Sequence, residues 1–258
     1  MSLDVERIVA ETFVRHVEQR SETESTNDLA MQLIQGGHTV FPLLTVAARQ
    51  TNGRGRGQNK WWGANGGLTF TVAIDANEHH LPTRDWPKLS LTTGLSVCET
   101  LESLVPNLTV QLKWPNDVYL ERRKVCGILV ETVPNVPGLI VVGIGINVNN
   151  SFQEAPAELR PIATSLVDES RRRFDLTEVL IQQLVQLARC IDRVAAGGED
   201  LAEAWRDRCM LEGRTLTITT GGHRLTGVCQ GIDDEGALLV QCEGGVQRCV
   251  AGVVSQIL

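Results

Sequence analysis

The chain has 258 residues, is 42% hydrophobic and carries a net charge of −7, a balance that suits one large core or a large core with a small satellite. It excludes a disordered chain and a protein that coats nucleic acid through bulk electrostatics, so any phosphate binding has to be local. Seven cysteines without a Cys-x-x-Cys pair, a start at Met1-Ser2-Leu3-Asp4 that lacks the basic and apolar regions of a signal peptide, and apolar runs too short to span a bilayer point to a cytoplasmic protein.

An edge strand is expected over 14–18. Ser25 then opens a helix over 27–35, with Asp28 three positions on as in a capping box and Gly36-Gly37 as the stop. Strand patterns follow at 44–48, 68–74, 110–113, 118–120, 124–132 and 139–146, interrupted by a helical stretch over 88–104. Strands in runs with inserted helices favour an α+β mixed sheet over a strictly alternating doubly wound fold. Apolar spacing gives two more helices over 178–194 and 200–211, and the composition changes near Glu212-Gly213. Short strands at 215–219, 226–232, 237–242 and 247–250, punctuated by glycine-rich turns, suggest a small β-barrel. The expected division is a domain over 1–211 and a barrel over 212–258.

Three clusters carry chemistry. The first is Gly53-Arg54-Gly55-Arg56-Gly57-Gln58, inside a region with no acid between Asp28 and Asp75. Glycine lets the backbone approach a phosphate, and arginine donates a planar, permanently charged fork. The loop is either an anion clamp or a flexible basic surface loop; it matches neither the Walker nor the dinucleotide pattern. The second is Lys113-Trp114-Pro115-Asn116-Asp117, followed by 123–131. Pro115 breaks strand pairing and presents Asn116 and Asp117 at a turn, while Glu121-Arg122-Arg123 can close a hairpin with Lys124 at the mouth of the returning strand. Strict alternation puts Lys124 on the face of Cys126, Ile128 and Val130 unless a bulge intervenes, so Lys124 either meets a buried anion or snorkels from the strand end. The third is Gly143-Ile144-Gly145-Ile146-Asn147, where Asn147 can read a base or sugar or simply serve a turn.

Taken in order, Ser25-Thr26-Asn27, Gln50, the 53–57 loop with Lys60-Trp61, the 113–117 segment, 124–131 and 143–147 resemble the biotin protein ligases over roughly residues 20–258. The resemblance implies a class II synthetase-like catalytic domain with an SH3-like C-terminal barrel. It implies a two-step ligation as well: biotin and MgATP give biotinyl-adenylate and pyrophosphate, and a lysine of a carboxylase's biotin carrier domain then takes the biotinyl group. Arg56, Lys124 and Asp117 are the catalytic candidates. Biotin is expected to meet Ser25, Thr26, Asn27, Gln50 and Gly127 together with Gly53, Arg54, Gly55, Arg56 and Lys124. ATP is expected to meet Arg54, Arg56, Lys60 and Trp61, and also Lys113, Asn116, Asp117, Lys124 and Asn147. Mg2+ is implied with ATP, and its protein ligands are not assigned.

These residue types fit that chemistry. A ureido ring presents two N–H donors and one acceptor, which neutral side chains and a helix N-terminus can meet. Joining a carboxylate to a phosphate brings two anions together and needs cations already in place. The chain departs from the common family pattern at Gly57-Gln58, which has one fewer fixed charge, and at Trp62-Gly63-Ala64, where a Ser-Pro segment is usual. Trp61 and Trp62 are either a lid over the ligand or ordinary packing residues. Cys126 reads as a small strand residue and stays outside the mechanism.

A lipoate or octanoate ligase of the same superfamily is the nearest alternative, and the arginine loop and barrel favour biotin over it. A non-catalytic biotin sensor that represses transcription would need a winged helix ahead of Ser25, where only about 20 residues stand. A nucleic-acid module is disfavoured by the acidic balance, so no DNA partner and no membrane partner are expected. A monomer and a homodimer are both compatible with the sequence.

Overall fold

The computed structural model describes residues 3–198 and 200–257; Met1-Ser2, on which the leader argument begins, lie outside them. Seven strands form the first sheet: β1 (His16–Thr23), β2 (Leu43–Gln50), β3 (Leu68–Asp75), β4 (Val110–Lys113), β5 (Asp117–Leu120), β6 (Arg123–Thr132) and β7 (Leu139–Ile146). Their spatial order is β1-β2-β3-β7-β6-β5-β4; β1 and β2 run parallel and every other pair is antiparallel.

Side chains alternate across this sheet, so each strand feeds two layers. Val46, Phe70, Val72, Val142 and Ile144 are fully or almost fully buried on one face, in the main core. That core is closed by α3 (Leu89–Leu104) and α5 (Leu176–Ala195), which pack along each other. Leu43, Ala73 and Val141 point the other way and meet Ala30 and Ile34 of α2 (Thr26–Gln35). The second layer is thinner, because toward its far end apolar side chains give way to Thr and Gly.

Register turns this alternation into lateral rows. One row runs Lys113, Asp117, Gly127, Gly145, Thr69 across five strands, and the next runs Leu129, Gly143, Thr71, Thr45. Both lie on the face of α2. Large side chains here would fill the space between helix and sheet; small ones leave it open.

The C-terminal unit is a five-stranded antiparallel sheet in the order β11-β10-β9-β8-β12, built from β8 (Thr215–Thr220), β9 (His223–Ile232), β10 (Leu238–Cys242), β11 (Gly245–Cys249) and β12 (Val253–Ile257). Among the described residues its ladder has two edges and no closing pair. It docks through Trp114, whose buried indole N–H donates to Gly236 O at 3.1 Å.

Several boundaries differ from expectation for physical reasons. The helix expected to reach 211 is α6 (Leu201–Asp207), because the chain leaves it to pair with β4: Leu112 N donates to Arg208 O at 2.8 Å and Met210 N to Leu112 O at 2.9 Å. The edge strand begins at His16 rather than residue 14 and runs to Thr23. Two short helices, α1 (Val5–Glu11) and α4 (Leu166–Ser170), span too few residues to show a period, and β12 was not anticipated. Among the described residues no helix is long and apolar enough to cross a membrane.

Candidate active site

The N-terminus of α2 opens one side of a cavity. Ser25 is the N-cap, extended at φ −151°, with its hydroxyl facing Asp28 N at 3.5 Å. Thr26 and Asn27 follow with only 3% exposure each. Gln50, at the end of β2, turns its amide oxygen onto this cap and accepts from Thr26 N at 2.7 Å and from the Thr26 hydroxyl at 3.1 Å. The Thr71 hydroxyl lies 2.6 Å from Asn27 Oδ1 and 2.8 Å from Thr26 Oγ1. A row of neutral donors and acceptors is thus fixed before any ligand arrives.

The floor is the pair of glycine rows. A Cβ at Gly143 would collide with the Asn27 amide, and one at Gly145 would stand 2.5 Å from the Trp61 ring. The alternation of Gly with Ile in β7 therefore has a physical cause: Ile144 and Ile146 fill the core, while the glycines admit Asn27 and Trp61 from above.

The roof is the 53–61 loop, folded as a small hairpin. Trp61 N donates to Gly53 O at 2.9 Å, Gly55 N donates to Asn59 O at 2.8 Å, and Arg54 bridges Lys60 through the backbone. The two arginines part company here. Arg54 turns to Asp28 and Glu131 and is paired with both, at 2.6 and 2.8 Å. Arg56 points into the cavity, and its guanidinium reaches Gly252 O at 3.4 Å. No carboxylate forms an ion pair with Arg56 among the described residues. Burial pulls its pKa below the ordinary arginine value, against the attraction of the Asp117 carboxylate. A partly desolvated guanidinium without a carboxylate counter-ion has the chemistry to receive an anion.

Lys124 reaches the cavity because β6 bulges. Cys126 pairs with Val118 but Lys124 pairs with Tyr119, so Val125 is an extra residue on β6. The backbone of Lys124 is engaged elsewhere: its N–H donates to Ile162 O and its carbonyl accepts from Thr164 N, both at 2.9 Å. Strict alternation is thereby overturned. Lys124 shares the cavity face with Gly127 and Leu129, while Cys126 and Ile128 enter the core. Lys124 Nζ stands 2.7 Å from Asp117 Oδ1, an ion pair not aligned as a hydrogen bond, and 5.8 Å from the centre of the Trp61 ring.

Lys113 lies beside this pair. Its ammonium donates to the Tyr119 hydroxyl at 3.2 Å and sits 5.4 Å over the ring; burial pushes that phenol up to about 12. The Asn116 amide donates to Ile128 O at 2.7 Å, and exposed Lys60 stands at the rim. Fourteen of the sixteen residues singled out in the sequence line this one cavity; Gly53 and Asn147 do not. Gly53 backs onto Gln50, and Asn147 is buried with its side-chain oxygen accepting from Asn150 Nδ2 at 3.0 Å. The Cys126 thiol faces the core, and burial raises its pKa well above the ordinary thiol range. No thiolate nucleophile is available there.

Sequence reasoning gave no site role to Thr69, Thr71, the 252–254 segment or Glu131, although Glu131 closes the 124–131 cluster. The first two were signalled by Leu68-Thr69-Phe70-Thr71-Val72, where polar residues alternate with core residues; the others come close only through folding.

Residues 21–149 match the Biotin/lipoate A/B protein ligase family, and residues 213–255 match the Biotin protein ligase C terminal domain. The chain belongs to the biotin/lipoate A/B protein ligase family. It is 30% identical over 243 residues to a biotin acetyl-CoA-carboxylase ligase of Mycobacterium tuberculosis, covering 93% of this chain and 88% of that protein. It is 29% identical to the bifunctional ligase/repressor BirA of Escherichia coli, over 90% of this chain and 71% of that one. Among solved structures it is similar to the Aquifex aeolicus biotin protein ligase in complex with biotin and ATP, with TM-score 0.81, 29% identity, and coverage of 93% and 98% of the two chains.

Proposed function

We infer that the chain is an ATP-dependent biotin protein ligase, joining biotin to a lysine of a carboxylase carrier domain through biotinyl-adenylate. The observation that carries the reading is the placement of Arg56 and Lys124 in one cavity with the polar end of α2, one cation without a carboxylate counter-ion among the described residues and the other held by Asp117. The neutral end, formed by Ser25, Thr26, Asn27 and Gln50, suits an uncharged ureido ring; the cationic end suits a carboxylate and phosphates. Gly127 and Gly55 line the path between them.

In the first step a carboxylate oxygen of biotin attacks the α-phosphorus, and pyrophosphate leaves. Lys124 screens the carboxylate from the phosphate, and Arg56 takes the phosphate and later the adenylate. Lys113 and Lys60 are the cations left for the departing pyrophosphate, and Trp61 and Asn116 are assigned to the nucleoside side; Asn147, bound to Asn150 outside the cavity, is left without a ligand role. In the second step the acceptor amine attacks the acyl carbon and AMP leaves. Asp117 orients Lys124 and then the incoming amine.

Magnesium arrives with ATP. Among the described residues no three His, Cys, Asp or Glu side chains group around a point, whereas Mg2+ usually takes one or two carboxylates together with substrate phosphates. Asp117 is the carboxylate in the cavity and would be its protein contact. We place the enzyme in the cytoplasm, as monomer or homodimer, with the carrier domain as its protein partner and without DNA binding. The test incubates the protein with biotin, MgATP and a carrier domain and reads AMP and acceptor mass; lipoate in place of biotin is the control that separates the two branches of the family.

A further inference from the structure

Glu131 lies on the cavity face of β6 but outside the cavity lining, yet both its carboxylate oxygens are engaged. Oε1 accepts from Arg54 Nη1 at 2.8 Å, and Oε2 accepts from Arg54 Nη2 and from Asn27 Nδ2, each at 2.8 Å. The remaining edge of the Arg54 guanidinium donates to Asp28 at 3.2 and 2.6 Å. Bidentate, charge-assisted pairs of this kind are directional as well as strong. One carboxylate therefore ties the 53–61 loop to the amide of Asn27.

The consequence for Asn27 is chemical. Its amide donates two hydrogens, one toward Leu129 O at 3.2 Å and one toward Glu131 Oε2. Both partners can only accept, so a flipped amide would set its oxygen against two acceptors. Asn27 Oδ1 is thus held toward Thr71 and the glycine floor at Gly143, with accepting capacity left over.

We propose that Glu131 is a positioning residue that fixes Asn27 as a hydrogen-bond acceptor for a ureido N–H of biotin and, through Arg54, holds the loop closed over that ring. This rests on the ligase reading. Opening the loop breaks the Arg54 fork and leaves the Glu131 charge with Asn27 alone, so loop order and ureido recognition rise and fall together. The phosphates of ATP are assigned to Arg56 and Lys124, neither of which bonds to Glu131, so the loss of Glu131 falls directly on biotin and reaches ATP only indirectly, through the loop that carries Arg56.

The experiment is titration calorimetry of biotin against wild type, Glu131→Gln, Glu131→Ala, Asn27→Ala and the Glu131→Gln/Asn27→Ala double variant, with steady-state KM for ATP and hydrogen exchange over 53–61. The expected result is a loss of biotin affinity on the order of ten- to a hundredfold in both Glu131 variants. KM for ATP should rise by distinctly less than biotin affinity falls, since Arg56 is reached only through the loop, and loop exchange should quicken. The double variant should lose distinctly less than the product of its two single losses, because the two residues act as one unit. Glu131→Gln keeps the shape of the side chain and carries the cycle if Glu131→Ala does not fold. Unchanged biotin affinity in folded Glu131 variants, multiplicative losses in the double variant, or an equal loss for ATP overturns the proposal while the ligase reading stands. Wild type that does not bind biotin removes both.

Discussion

Lys124 and Asp117 face each other at 2.7 Å because Val125 is an extra residue between two paired positions of β6. Without the bulge the ammonium would point with Cys126 toward the core, where an unpaired charge is expensive. The local irregularity moves the cation by one face and supplies the cavity with its central charge pair.

Lys124→Ala should slow adenylate formation itself, by about a hundredfold or more, as for loss of a preorganised electrostatic contact in a closed site. Single-turnover quench of biotin with MgATP measures it. Adenylate made at the wild-type rate would show that Lys124 serves another step.

Arg56→Gly should loosen retention of the intermediate. Arg56 is the half-buried guanidinium without an ion-pair partner among the described residues, so its anion contact is charge-assisted and worth about 1.5–3 kcal/mol, or one to two decades in affinity. Rapid filtration after one turnover should find biotinyl-adenylate in the filtrate for the variant and on the protein for wild type. Equal retention would count against this role.

Gly143→Ala should weaken biotin binding more than it weakens the fold. The new methyl would overlap the Asn27 amide, which cannot retreat without breaking its contacts to Leu129 and Glu131. Overpacking of this sort costs about 1–3 kcal/mol. Calorimetry with biotin beside a thermal melt distinguishes the two effects; undiminished biotin affinity would show that Asn27 is free to move.

Acid should destabilise the protein in part through His79. Burial holds its pKa below the usual imidazole value, so the unfolded chain takes up a proton first as pH falls. The stabilising contribution is full above about pH 6.5 and is lost as pH drops toward the depressed folded value. Thermal melts across that range should fall less steeply for His79→Gln than for wild type.

Much of this architecture is legible in the sequence because it is local. Ser25 ahead of an amphipathic run, Gly36-Gly37 behind it, and Gly-Ile alternation in β7 each state their structure within a few residues. What stays hidden depends on partners distant along the chain. The bulge at Val125 goes with backbone contacts to 162–164, and α6 stops where Leu112 captures the chain. The loop arginines look equivalent in sequence and differ in the fold, since only Arg54 meets Asp28 and Glu131. Fourteen of the sixteen expected site residues gather because strand register lines up Lys113, Asp117 and Gly127 while the cap of α2 and the 53–61 loop bring in most of the others, whereas Asn147 turns away to Asn150.

The most direct measurement is the intact mass of a purified biotin carrier domain after incubation with this protein, biotin and MgATP. The account predicts the increment of a single biotinyl group, dependent on ATP, absent with lipoate, and lost when Lys124 is replaced by Ala. An unmodified acceptor, or equal modification with lipoate, would contradict it.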